Sequence, residues 1–308
     1  MADMAGTKEI KTHIESVQET RKITNAMYLI ASTKLRRAKQ ELENTRPYFS
    51  ALRREIKRIF RTARNVDSHY FFPETGELPR GGTYGCLVIT ADKGLAGAYN
   101  QNVIREAMKL LEQHPNTKLF VVGEYGRRYF AQRNIPIEHS FLYTAQNPTM
   151  ARARDISALL LEGFDRGELQ KIFIVYTDMV NAMSYKARSN RLLPFHRTYF
   201  ADDASRTETA EEPVKEPFEF LPDVGSVLNN LMPSYVSGYI YSALIDSFCC
   251  EQSARMAAMD SANQNAEKLL GELSLEFNRV RQAAITQEIT EVSAGAKAQR
   301  QMRQKNER

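Results

Sequence analysis

Residues 254–294 read ARMAAMDSANQNAEKLLGELSLEFNRVRQAAITQEITEVSA. Mostly apolar or small side chains recur in this stretch at alternating intervals of three and four residues, the spacing of a coiled-coil seam on one helix face. The helical pattern begins at about residue 224, with Pro233 near its start, and continues to the C-terminus. It predicts a long helix that packs against a partner helix. The seam positions are Met256, Met259, Asn263, Ala266, Leu270, Leu273, Phe277, Val280, Ala284, Gln287, Glu291 and Ala294.

A matching seam lies near the N-terminus. Residues 7–64 contain no glycine and one proline, Pro47, which predicts a long helix with a kink or interruption at that residue. Two such helices, separated by a globular insert, are expected to pair antiparallel. A helical hairpin that only pads the middle domain is the alternative, but the polar seam residues favour a rod inside a sleeve of other subunits. The N-terminal seam positions are Ile10, Ile14, Val17, Arg21, Thr24, Tyr28, Ala31, Leu35, Ala38 and Leu42.

The middle of the chain alternates between strand and helix patterns. A further strand pattern follows at 184–195, and we predict an inserted Rossmann-like α/β domain with a parallel sheet. The predicted division is 1–66, 67–217 and 218–308, and the predicted fold class is α/β with an antiparallel coiled coil of the long terminal helices. The alternating strand patterns lie at 84–91, 118–123 and 171–177, and the helical patterns at 102–113, 126–133 and 151–163.

Charge is distributed unevenly along the 308 residues, whose net charge is +5 and whose mean hydropathy is −0.46. Residues 8–64 hold 15 basic and 6 acidic residues, and residues 297–308 hold 5 basic and 1 acidic. The segment 201–216 is acidic instead, and no apolar run reaches the ~20 residues of a membrane helix. The basic ends predict an acidic partner, either nucleic acid or an acidic protein surface.

Motifs for chemistry are incomplete. The glycine turn TADKGLAGAYN at 90–100 lies between a strand and a helix, but it completes neither a Walker loop nor a dinucleotide fingerprint. Gly94 and Gly97 are therefore predicted to permit a tight turn. The histidines are scattered, and the three cysteines have no metal-ligand spacing and predict reduced, buried thiols of a cytoplasmic compartment. We predict no catalytic residue, cofactor or metal; a nucleic-acid-binding rod and a phosphate-binding α/β enzyme remain as rivals.

Both terminal helices carry a family resemblance. Residues 10–17 and 20–27, together with 278–291, resemble the two ends of bacterial F-type ATP synthase gamma subunits, and DKGLAG at 92–97 is similar to the glycine segment of that family. Ala96 stands where many members have Cys, and Asn25 stands where many have Lys.

This resemblance implies a non-catalytic rotor. The chain would stand inside a ring of three alpha and three beta subunits and contact the epsilon subunit and the c ring. It would couple ion flow to ATP synthesis or hydrolysis. It would be peripheral, on the cytoplasmic face of the cell membrane, with membrane contact only through the c ring and without nucleic acid or cofactor.

The resemblance also implies which residues contact beta. Arg281 and Gln282 would contact the beta loop that grips the upper shaft, and Met27 would lie near an acidic loop. For Met27 the alternative is seam packing, and for Arg21 and Lys22 it is a solvated face. The full set is Arg21, Lys22, Met27, Lys93, Ala96, Arg255, Arg281, Gln282, Thr286 and Glu288.

Overall fold

The structure is a computed structural model that describes residues 2–62, 68–72, 82–142, 144–179, 184–196, 200 and 220–306. The chain divides into two compact units, one made of Met1–Ile30 with Met256–Arg308 and the other of Ala31–Arg255. Both predicted segment boundaries, 66/67 and 217/218, lie outside the described residues, as does the acidic segment 201–216. The predicted three-part division therefore stays a prediction.

Two long helices account for both ends of the chain. Helix α1 is Ala2–Thr62 and the last helix, α5, is Val224–Asn306. Each contains an internal proline, Pro47 and Pro233, and neither is interrupted there. The long helices predicted from the seams are confirmed, whereas the interruption at Pro47 is not found. A proline has no amide hydrogen, so it removes one backbone hydrogen bond of the helix. The residues on either side of it keep theirs, and the helix continues through that position.

In the first unit, α1 and α5 form an antiparallel pair. Arg21 lies 3.6 Å from Glu267, and the Thr24 side chain hydrogen-bonds to that of Asn263. Residues later in α1 therefore lie beside residues earlier in α5. The predicted seam positions of this unit are half-buried or buried up to Ala284, with the exception of Arg21, which is exposed. The predicted seam is confirmed over that length.

The seam ends earlier on α5 than predicted. Gln287, Glu291 and Ala294 are exposed. The Arg21–Glu267 register brings the start of α1 to the level of about residue 286, at one residue of α5 for each residue of α1. No part of α1 in the described chain faces the three later positions, which is why they are exposed. The prediction that the seam extends through 287–294 was wrong.

The second unit holds a five-stranded sheet in the order β3-β2-β1-β4-β5. The strands β1 to β4 are parallel to one another, whereas β5 is antiparallel to β4 because no crossover helix separates these two strands. The predicted strands are confirmed, and β3 was not predicted. In chain order the elements are β1 Tyr84–Ile89, α2 Tyr99–Gln113, β2 Thr117–Val122, α3 Glu124–Gln132, β3 His139–Phe141, α4 Met150–Asp165, β4 Lys171–Met179 and β5 Tyr185–Leu193.

Both faces of the sheet are covered, as the unbroken apolar strands require. On β1, Leu87 and Ile89 belong to the larger core that includes residues of α1, α4 and α5. Cys86 and Val88 point to the opposite face and pack with residues of α2 and α3. The sheet is therefore the middle layer of the unit, and its carboxyl edge carries the glycine turn. Within the described residues, no helix is both long and apolar enough to cross a membrane.

Candidate partner-contact site

Side chains of the glycine turn after β1 fix its conformation through hydrogen bonds to backbone amides. The Asn100 side-chain oxygen accepts from the Ala91 amide at 2.9 Å, and the Asp92 carboxylate accepts from the Glu124 amide at 2.9 Å. The residues with positive φ are Leu95 at 61° and Gly97 at 54°. Gly97 therefore plays the predicted role, whereas the second left-handed position is Leu95 and not Gly94.

Leu95 is the exposed tip of this turn. It is 65% exposed although it is apolar and adopts a left-handed conformation that costs a non-glycine residue about 1 kcal/mol. Lys93 beside it is also exposed. Backbone strain at a non-glycine position is typical of functional sites, where the surrounding structure holds the strained conformation. The sequence reasoning missed Leu95, because its exposure and its φ depend on how the turn folds.

Ala96 is placed differently from the expectation. It is 2% exposed and packs with Ala91, Tyr99, Cys250 and Ala254. Helix α5 thus fills the crevice at the carboxyl end of β1, where open α/β sheets bind their ligands. The side chain of Ala96 supports the turn from inside, and it is the neighbouring Leu95 that faces outward.

Arg255 forms a mostly buried ion pair with Glu251. Its guanidinium lies 2.6 Å from Glu251, and the two side chains are 11% and 8% exposed. A second guanidinium nitrogen donates to the Gly94 carbonyl at 3.1 Å. Burial raises the pKa of Glu251, while Arg255 acts in the opposite direction and favours the carboxylate. Arg255 therefore fixes the turn to α5, and its contact with a partner stays a prediction.

The first amides of α3 are also occupied. The Glu124 amide donates to Asp92, the Tyr125 amide to the Ala91 carbonyl and the Gly126 amide to the Thr90 hydroxyl. A phosphate at this helix end would need those amides. The N-terminal end of α3 is therefore bonded to residues at the start of the glycine turn.

The hairpin of the first unit exposes part of the predicted contact set. Lys22 is 73% exposed and pairs with Glu19 three residues earlier at 2.8 Å. Arg21 bridges to Glu267 across the two helices, and Met27 is half-buried. Met27 is thus partly in the seam, whereas Lys22 presents its charge to the solvent.

The C-terminal end of α5 exposes the rest of the set. Arg281, Gln282, Thr286 and Glu288 all lie on the surface. The Thr286 hydroxyl donates to the Gln282 carbonyl at 2.8 Å, so its bonding is satisfied within the helix.

The same end carries apolar side chains that the sequence reasoning missed. Ile285, Ile289 and Val292 are spaced by four and three residues, so they share one face, and they are 47% to 73% exposed. Such an apolar face stabilises a helix mainly when it packs against another surface, so it contributes little to the stability of a helix in water. The spacing was present in the sequence, but the predicted seam took the neighbouring positions Ala284, Gln287 and Glu291 instead.

The described side chains therefore define a helical hairpin and an α/β unit whose ligand crevice is filled by its own helix. The described residues include no group of His, Cys, Asp and Glu that could hold a metal ion. All three cysteines are free and buried, which confirms the predicted burial of these thiols. These features define the class as an α/β protein with an antiparallel helical hairpin.

Comparisons with known proteins identify the family. A family model described as ATP synthase matches residues 6–299. The ATP synthase gamma chain of Caldanaerobacter subterraneus is 39% identical over 94% of this chain and 99% of its own length. That of Ruminiclostridium cellulolyticum is 37% identical over 94% and 98%. The sodium-ion-specific gamma chain of Acetobacterium woodii is 37% identical over 94% and 98%.

Solved structures agree on the fold. A chain of the mitochondrial ATP synthase OSCP/F1/c-ring structure from Euglena gracilis has a TM-score of 0.68 and 17% identity and covers 96% of this chain and 94% of its own. A chain of the Tetrahymena thermophila central stalk and c-ring structure has a TM-score of 0.53 and 24% identity, over 78% and 99%.

The chain belongs to the ATP synthase gamma chain family, that of the central-stalk rotor subunit. The resemblance seen in the terminal helices is thereby confirmed, as is the prediction of a non-catalytic subunit, and the two rival functions lose their support.

Proposed function

We propose that this chain turns as the rotor between the ion-driven c ring and the catalytic beta subunits of an ATP synthase. Its partners are three alpha and three beta subunits, the epsilon subunit and the c ring, and its membrane contact passes through the c ring alone. It is peripheral, on the cytoplasmic face of the cell membrane. The observation that carries the proposal is the end of α5, which extends past α1 with an exposed apolar face.

The physical basis is asymmetry. A two-helix hairpin has no threefold axis, so three identical beta subunits meet three different faces of it. A shaft biases three sites differently only if its contact free energy differs between their conformations. Rotation then passes each site through every conformation in turn.

The proposed contacts fall into two groups. The exposed Arg21 and Lys22 of the hairpin meet an acidic beta loop, together with the half-buried Met27. The end of α5 meets the top of the ring through Arg281, Gln282, Thr286 and Glu288, assisted by the apolar face at Ile285, Ile289 and Val292. The turn contributes Lys93 and Leu95, while Ala96 and Arg255 support it from inside.

A charge reversal tests this assignment. Lys22→Glu in the assembled complex should lower ATP-driven ion pumping per ATP hydrolysed, and a compensating acid-to-base change in the facing beta loop should restore part of it. The matched control is Lys109→Glu on α2, which also pairs at 2.8 Å with an acid three residues earlier. The effect is local, because exposed charges are screened within about 8 to 10 Å at physiological salt.

Two results would count against the contact at Lys22: strict additivity of the two changes, or an equal loss in the Lys109 variant. Contacting charges interact, whereas distant ones only add.

A further inference from the structure

The second unit contains a cleft whose lining includes none of the proposed rotor contacts. It lies between α1, α5 and β4 and encloses about 540 Å³, within the range of small-molecule sites. Its α1 wall carries Lys39, Arg46 and Arg53, and its α5 wall carries Tyr235, Tyr241, Ser242 and Asp246.

The charge of the cleft is predominantly positive. Lys39, Arg46 and Arg53 are seven residues apart and share one face of α1, and Asp246 is the single acid in the lining. Lys39 and Arg46 are exposed, and neither makes an ion pair with a residue that the structure describes. Exposed lysines elsewhere do pair, as Lys109 does with Glu106 at 2.8 Å. Lys39 and Arg46 thus bring positive charge to the α1 wall, and Asp246 on the facing wall balances part of it.

The floor of the cleft is aromatic. The Phe49 ring centroid lies 6.4 Å from that of Tyr241, and Tyr235 lines the same cleft. Gly238 makes this packing possible, since a Cβ at that position would lie 1.9 Å from a ring carbon of Phe49. Apolar surface beside guanidinium and ammonium groups suits a ligand with one anionic end and one apolar body.

We propose that this cleft binds a small organic anion. Its carboxylate-like group lies on the Arg46 side, where the planar guanidinium forms paired hydrogen bonds with two oxygens. Its aliphatic or aromatic body covers Phe49 and Tyr241. The site goes beyond the rotor function and does not depend on it.

Calorimetric titration of the full chain with decanoate tests the proposal, with decanol as the uncharged probe of similar length. Decanoate should saturate a single site below about 1 mM, and decanol should bind at least about tenfold more weakly, as expected for one lost charge-assisted contact. Arg46→Met should weaken decanoate binding by about tenfold or more. Arg54→Met is the matched control, because Arg54 is exposed on the same helix outside the cleft lining, and it should leave binding unchanged.

Ser242→Trp fills the cleft and separates binding there from binding elsewhere. It should abolish decanoate binding while the circular dichroism spectrum remains that of the wild type. The proposal is overturned if decanoate shows no saturable binding, if decanol binds equally well, or if the Arg46 and Arg54 variants lose affinity equally. Undiminished binding in a folded Ser242 variant would also overturn it.

Discussion

Replacing Arg255 with Met removes one partner of the buried pair and leaves the Glu251 carboxylate without its cation. The pair is 2.6 Å long and nearly inaccessible, so the cost of breaking it from one side should be about 3 kcal/mol, the lower end of the range for buried pairs. Glu251 limits this cost by taking up a proton, because its pKa is already raised by burial. Loss of the bond to the Gly94 carbonyl adds to it.

The double variant Glu251→Gln with Arg255→Met removes both charges. Its loss of unfolding free energy should be smaller, by at least about 1.5 kcal/mol, than the sum of the losses in the two single variants, because the effects of contacting groups are not additive. Native-state hydrogen exchange of the β1 amides measures the free energy of opening in this unit. Arg166→Met is the control: its pair with Glu162 has the same helical spacing, but both side chains are more than half exposed, so the change should cost under about 0.5 kcal/mol.

The dependence on pH gives a second readout. In Arg255→Met the folded-state pKa of Glu251 rises further above its unfolded value, so the stability from the protonated form is lost as pH rises through the folded pKa. The deficit of this variant should therefore be larger at pH 8 than at pH 5, and the double variant should not show the increase. Additive single variants, or a cost for Arg255→Met no larger than for Arg166→Met, would refute the reasoning.

Three further predictions concern other parts of the chain. Burial, followed by the charge of Asp178, raises the pKa of Asp246 to about 7, so the stability that its protonated form contributes is lost as pH rises through that value. The free energy of unfolding, measured with urea, should therefore fall between pH 5 and pH 8, and Asp246→Asn should remove on the order of 2 kcal/mol of that fall. Replacing Arg281 and Gln282 together with Ala should lower complex yield or coupled synthesis with the helix content unchanged, since charge-assisted bonds contribute about 1.5 to 3 kcal/mol each, and unchanged yield and synthesis would contradict the contact. The purified chain should show no ATPase activity, and turnover that persists after complete removal of beta subunit would contradict this.

Much of the fold could be predicted from periodicity. The alternation of strand and helix patterns predicted a parallel sheet, and the two seams predicted an antiparallel pair of helices. Strand β3 was missed because three residues, His139–Phe141, are too short to show a period. The end of the seam was also missed, because only the register set by Arg21 and Glu267 shows where α1 ends beside α5.

Less of the contact site could be predicted, because family likeness does not reveal which side chains are exposed. Ala96 and Arg255 were assigned to a partner, yet both support the turn from inside. Leu95 was passed over, although it is the exposed residue of that turn. A residue of a family motif can either contact a partner or pack inside the motif. Its burial in the folded chain distinguishes these two roles.

Direct observation of rotation tests the rotor function most directly. The three native thiols are buried, so Arg105→Cys, on the exposed face of α2, would provide a selective attachment point for a bead. With the alpha and beta subunits immobilised, addition of ATP should drive the bead in one direction with three stops per turn. A complex that binds this chain and hydrolyses ATP while the bead shows only undirected fluctuation would contradict the account.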